Sequence, residues 1–134
     1  LTDELRKIHN LTTFSVHTPS QFALAEFMKA PSHIDGVAAM YAEKKAYFLN
    51  GLQGSAWNFL PSQGSYFVTA DYSAISDLDD FEFCHVLIKE HGIGAIPYSA
   101  FYTEAPADQR LIRFCFAKKP ETLDLAISKL LAVR

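Results

Sequence analysis

The residue with the greatest chemical potential is Arg113, in the run Leu111-Ile112-Arg113-Phe114-Cys115-Phe116. Its immediate neighbours are hydrophobic, as a strand lying against a core requires. Strand alternation places Arg113 on one face with Leu111 and Cys115, and Ile112, Phe114 and Phe116 on the other. A guanidinium stays charged, so inside such a strand it needs water, a carboxylate or a phosphate. Two arrangements satisfy that need: a snorkelling or internally paired arginine, with Asp71 as the nearest candidate acid, or a bidentate fork for the carboxylate of a ligand.

Other reactive residue types form no comparable constellation. His9, His17, His33, His85 and His91 lack metal-like spacing, and His85 and His91 fall on different helical faces. No metal site is expected. Cys84 and Cys115 have neither a CxxC partner nor a nearby histidine, so they read as reduced core thiols of a cytoplasmic protein rather than nucleophiles. Gln63-Gly64-Ser65 is too poor in glycine for a phosphate loop and reads as a turn. Asp77, Asp79 and Asp80 lack the pattern of a calcium loop and read as acids capping a helix.

The elements that must position Arg113 follow from periodicity. Thr18-Pro19 reads as an N-cap followed by a first-turn proline, with Leu24, Phe27 and Met28 on one helical face before Pro31. A longer helix is expected from about His33 to Leu52, closed by Gly51 and Gly54. After Trp57 the pattern turns to strands at Ser65–Asp71, Ile93–Ile96 and Leu111–Phe116. A helix opened by Ser76–Asp80 and ended by His91-Gly92 separates the first two, a long loop spans Ser99–Arg110, and a last helix starts at Pro120. The expected class is α/β (α+β), a small mixed sheet with helices packed on it, preceded by a helical segment.

Composition narrows the partners. The 134 residues are 49% hydrophobic with a net charge of −3, which excludes a disordered chain. Twelve basic against fifteen acidic residues give no general attraction to nucleic acid. No stretch near ~20 residues is apolar enough for a membrane span. Leu1 opens the chain with neither methionine nor a leader, as in an excised domain or a trimmed native end.

Three segments in order carry a resemblance: Gln63-Gly64-Ser65-Tyr66-Phe67, then Gly92-Ile93-Gly94-Ala95-Ile96-Pro97-Tyr98-Ser99-Ala100-Phe101-Tyr102, then Leu111-Ile112-Arg113-Phe114-Cys115-Phe116-Ala117-Lys118-Lys119. Together they resemble the C-terminal third of class I/II aminotransferases, pyridoxal-phosphate enzymes of fold type I. The methionine aminotransferase and kynurenine aminotransferase/cysteine-S-conjugate β-lyase branch is the most similar. Arg6-Lys7-Ile8-His9 through Phe14-Ser15-Val16-His17-Thr18-Pro19-Ser20-Gln21 is similar to the helix and loop that follow the cofactor lysine there.

The resemblance implies that residues 1–32 belong to the end of the cofactor domain and the interdomain or dimer region, and 33–134 to the small C-terminal domain. It implies that Arg113 grips the substrate α-carboxylate, that Phe67 lines the pocket, and that Phe14 crosses a homodimer interface into the neighbouring site. The substrates implied are an amino acid, methionine or aromatic, and a 2-oxo acid; β-elimination from cysteine conjugates, or a stand-alone carboxylate-binding or dimerisation module, is the alternative. Pyridoxal 5′-phosphate is implied in the complete enzyme, with none expected on this chain alone. The Schiff-base lysine belongs upstream of the matching part, so no catalytic residue is expected here. Ala126-Ile127-Ser128-Lys129 imitates that motif only by coincidence.

Overall fold

The computed structural model describes residues 1–13 and 15–134, the side chain of residue 33 excepted. They divide into two compact units, Leu1–Ala38 and Ala39–Arg134.

The first unit is helical. Helix α1 (Thr2–Thr12) places Asp3 and Glu4 in its first turn, where negative charge suits the helix dipole. Exposed Arg6–Asp3 and Lys7–Glu4 pairs decorate it. Helix α2 (Thr18–Phe27) takes His17 as its N-cap, so Thr18 is already inside the helix with Pro19 in the first turn. A short turn, α3 (Ser32–Asp35), precedes Gly36; α4 (Val37–Gly51) follows it and belongs from Ala39 onward to the second unit. The single helix expected over this stretch is thus broken at the glycine, the residue that gains least from continuing a helix.

The second unit is built on a four-stranded sheet in the order β1-β2-β4-β3, with β1 Asn58–Phe59, β2 Phe67–Asp71, β3 Ile96–Pro97 and β4 Leu111–Cys115. All three pairings are antiparallel, in place of the mixture of directions expected. Neighbouring β2 and β4 run in opposite senses with Thr69 opposite Arg113, and the short edge strands β1 and β3 also pair antiparallel. The fold class is unaffected. β2 starts only at Phe67, because Ser65 adopts a left-handed φ of 68°. β3 is reduced to two residues: the Ile93 N–H is turned away to the Leu87 carbonyl, and Pro97 has no N–H to extend the ladder.

Between β2 and β3 along the chain lies α5 (Asp80–Val86), whose N-cap Asp79 accepts from the Glu82 N–H at 2.8 Å. It runs on into a wider π turn, Leu87–His91, which Gly92 ends with a left-handed φ of 62°. After β3 the chain makes a 3-10 turn, Tyr98–Phe101, and after β4 it forms α6 (Pro120–Leu130).

The core lies on one face of the sheet. Val68, Ala70, Ile112, Phe114 and Phe116 alternate inward and join Phe48 of α4, Phe83 of α5, Leu123 and Leu130 of α6, and Trp57. The Trp57 ring meets Phe114 edge-on at 5.4 Å, and its indole N–H donates to the Leu130 carbonyl at 3.0 Å. Tyr72 stacks on Phe83 at 4.2 Å and donates its hydroxyl to the Leu78 carbonyl. Burial raises the Tyr72 phenol, and the Asp80 carboxylate adds to it.

Candidate functional site

The outward face of the sheet carries what the core rejects. Leu111, Arg113 and Cys115 are half-buried there, in strict alternation with buried Ile112 and Phe114. Across the β2–β4 ladder stand Phe67, Thr69 and Asp71. The Arg113 guanidinium carbon lies 4.0 Å from the centre of the Phe67 ring and 4.6 Å from that of Phe101. Each contact sets a delocalised cation against the negative face of an aromatic ring.

Two contacts fix the turn that brings Phe101 there. The Tyr98 hydroxyl shares a hydrogen bond of 3.1 Å with the Thr69 hydroxyl, and the Ser99 N–H donates to Asp80 Oδ2 at 2.6 Å. Both rings leave the guanidinium without an acid. Among the described residues no carboxylate is within ion-pair distance of Arg113, and its Nε is buried without a hydrogen-bond partner. Asp71, the internal acid weighed as a partner, instead accepts from the Ser73 N–H at 2.8 Å. That bond, followed by the Ser73 side chain and a smaller contribution from Asn58, holds its carboxyl below the usual range against the opposing effect of burial.

The other sequence candidates separate clearly. Phe67 is beside Arg113; Phe14 lies outside the described residues. Cys84 is buried in the core and its thiol is pushed up to about 12 by burial, with the Asp80 carboxylate adding to the effect. No group of three or more possible metal ligands occurs among the described residues. Phe101 was missed in the sequence because it falls in a stretch read as loop. The usable signal was Asp80, an acid one residue beyond the capping position and followed by Phe81 and Phe83.

A groove of about 440 Å³ runs beside this strand, between the segment Gly92–Ile96, the edge of β4 and α6. Arg113, Cys115, Lys118 and Lys129 contribute to its walls; Phe67 and Phe101 do not. Lys129 Nζ reaches the Gly92 carbonyl at 3.5 Å.

The comparison with known proteins decides the family. A family model described as aminotransferase class I and II matches residues 1–130. The chain belongs to the class I and II aminotransferase family. It is 47% identical to the methionine aminotransferase of Escherichia coli over 95% of this chain and 33% of that protein. It is 30% identical to a kynurenine–oxoglutarate transaminase of Dictyostelium discoideum over 94% of this chain and 34% of that protein. Among solved structures, it resembles YbdL of E. coli, whose reactivity identified a methionine aminotransferase function, with a TM-score of 0.86 and 46% identity over 97% of this chain and 34% of that one. The N-succinyldiaminopimelate aminotransferase of Mycobacterium tuberculosis follows at TM-score 0.84 and 28% identity, over 93% and 33%. The chain thus spans about a third of the length of the curated relatives it matches.

Complete aminotransferases of this family imply pyridoxal phosphate, which needs a lysine for its aldehyde and donors for its phosphate. Five of the lysines are engaged elsewhere: Lys44 and Lys45 donate to the carbonyls of Lys118 and Ser62, Lys129 points to that of Gly92, and Lys7 and Lys29 pair with Glu4 and Glu26. The orphaned buried cationic nitrogen belongs to Arg113, whose forked geometry suits a planar anion.

Proposed function

We propose that this chain supplies the substrate-carboxylate end of a pyridoxal-phosphate aminotransferase that moves an amino group between an amino acid and a 2-oxo acid. The observation that carries this reading is Arg113, stacked on two aromatic rings with no internal acid among the described residues. Two parallel N–H···O bonds from its terminal nitrogens to an α-carboxylate fix both the position and the plane of the substrate. A substrate so held presents its Cα–H bond in one orientation, and that restriction is how Arg113 lowers the barrier. The cofactor, when bound, serves as the electron sink for that carbon.

Phe67 forms an apolar wall beside the fork, which suits a methionine or aromatic side chain, and the 47% identity to a methionine aminotransferase favours methionine. Residues 1–32 are assigned to the end of the cofactor domain and 33–134 to the small C-terminal domain of a cytoplasmic homodimer. Phe14 is assigned to the neighbouring subunit's pocket. This 134-residue chain alone is not the catalyst.

The test uses the complete enzyme and 4-(methylthio)butanoate, the unreactive acid that has the carbon skeleton of methionine without its amino group. It should compete with methionine, and its uncharged amide should compete far more weakly. Arg113→Ala should abolish that difference. Equal competition by acid and amide in the unaltered enzyme, or a difference that persists in Arg113→Ala, refutes the assignment.

A further inference from the structure

Asp80 is the buried charged side chain of the described core, 6% exposed, and helix capping does not explain it. Asp79 already caps α5 through the Glu82 N–H. The Asp80 carboxylate is directed elsewhere, to the Ser99 N–H at 2.6 Å, across 19 residues of sequence. A buried carboxylate is costly unless its partners are good, so a fold that keeps one gains something specific from where it points. What it points at is the 3-10 turn Tyr98–Phe101, and the last residue of that turn stands 4.6 Å over the Arg113 guanidinium.

Phe101 is itself 56% exposed, so burial does not hold its ring in place. The turn has two polar anchors instead. The Tyr98 hydroxyl meets Thr69, the residue directly opposite Arg113 in the ladder, and the Ser99 N–H meets Asp80. One anchor comes from the sheet and the other from the helix behind it, and Phe101 lies two residues past the second.

We propose that Asp80 is a positioning residue for substrate binding: through the Ser99 N–H it holds the Tyr98–Phe101 turn so that the Phe101 ring stays stacked on the Arg113 guanidinium. Phe67 and Phe101 both stack on the guanidinium, at 4.0 Å and 4.6 Å, and no protein carboxylate among the described residues pairs with it. The inference rests on the reading of Arg113 as the carboxylate fork and adds the device that orients it.

The test measures inhibition of the complete enzyme by 4-(methylthio)butanoate and by its amide. Phe101→Leu and Asp80→Ala should each weaken the acid roughly fivefold, the size of one lost cation–π contact, and leave the amide unchanged. Asp80→Asn keeps an acceptor for Ser99 and should restore binding to within about twofold. Because both residues act through one ring, the double variant should lose no more than either single one. An unchanged inhibition constant for Phe101→Leu, or losses that multiply in the double variant, overturns the proposal. If Asp80→Ala does not fold, Asp80→Glu keeps the charge but displaces the acceptor by one methylene; a constant unchanged there overturns it equally. Loss of acid binding in Arg113→Ala with no effect at Asp80 and Phe101 refutes the positioning role alone. No effect at Arg113 refutes the fork itself.

Discussion

Replacing Arg113 by lysine separates the charge from the fork, and the structure sets the size of the effect. A lysine Nζ falls near the place of the guanidinium carbon, so the cation stays beside the Phe67 and Phe101 rings but ends about 1.3 Å short of the arginine's terminal nitrogens. The Nε position becomes a methylene, which costs nothing in lost bonds because that nitrogen has no partner. The losses are one of two charge-assisted hydrogen bonds and part of the stacking on the rings, together about 2–4 kcal/mol. At tenfold per ~1.36 kcal/mol, kcat/KM should fall between about 30-fold and 1,000-fold. The assay is steady-state kinetics of the complete enzyme with methionine, an aromatic amino acid and a short aliphatic one, alongside the cofactor absorption spectrum. All three substrates share the carboxylate, so the loss should be similar for each, and the spectrum should not change. A loss below threefold, or one confined to a single side-chain class, would show that Arg113 does not hold the common group.

Two further expectations concern the core behind the site. A Cβ added at Gly51 would stand 2.6 Å from Ile127 Cδ1 and 3.0 Å from its Cγ2, so Gly51→Ala should lower stability by about 1–2 kcal/mol despite the better helix former. Thermal unfolding should show that loss partly relieved by Ile127→Val, and a rise in Tm for Gly51→Ala refutes the packing argument. The buried Cys84 thiol, raised to about 12, should resist iodoacetamide at pH 8 in the native protein and react only after unfolding, as peptide mapping by mass would show. Native alkylation at the denatured rate is the refuting result.

The sequence was most legible where one period dominates. Leu111-Ile112-Arg113-Phe114-Cys115-Phe116 alternates so cleanly that residue order alone assigns the exposed and buried faces of β4. The helix from Pro120 was equally plain, and it starts where expected, with Leu123 and Leu130 buried. What could not be read was long-range. The Ser99–Arg110 stretch has no periodicity, and the contacts that define its start come from Thr69 and Asp80, 29 and 19 residues away from their partners. Local propensity says nothing about such pairings. The run Asp77, Asp79, Asp80 looked uniform as capping acids, yet Asp79 caps and Asp80 is buried with its carboxylate on Ser99.

The shortness of β3 links these observations. Had the strand continued past Pro97, the backbone of the following residues would have stayed in the sheet beside β4, with Tyr98 opposite Leu111, and Phe101 would have been carried along the ladder beyond the start of β4 and away from Arg113. Pro97 instead has an extended φ of −66° and ψ of 138° and releases the chain into the 3-10 turn. The turn rises over the face and meets Thr69 with Tyr98, and Phe101 then comes to rest over Arg113. The same proline that ends a ladder therefore starts the turn that brings a second ring onto Arg113. On the other side of β4, Ile112 and Phe114 are packed against α4, α5 and α6 and fix the backbone from which Arg113 projects. Adjacent residues of one strand thus divide the labour, one set packing into the core and the other presenting the Arg113 guanidinium on the outward face.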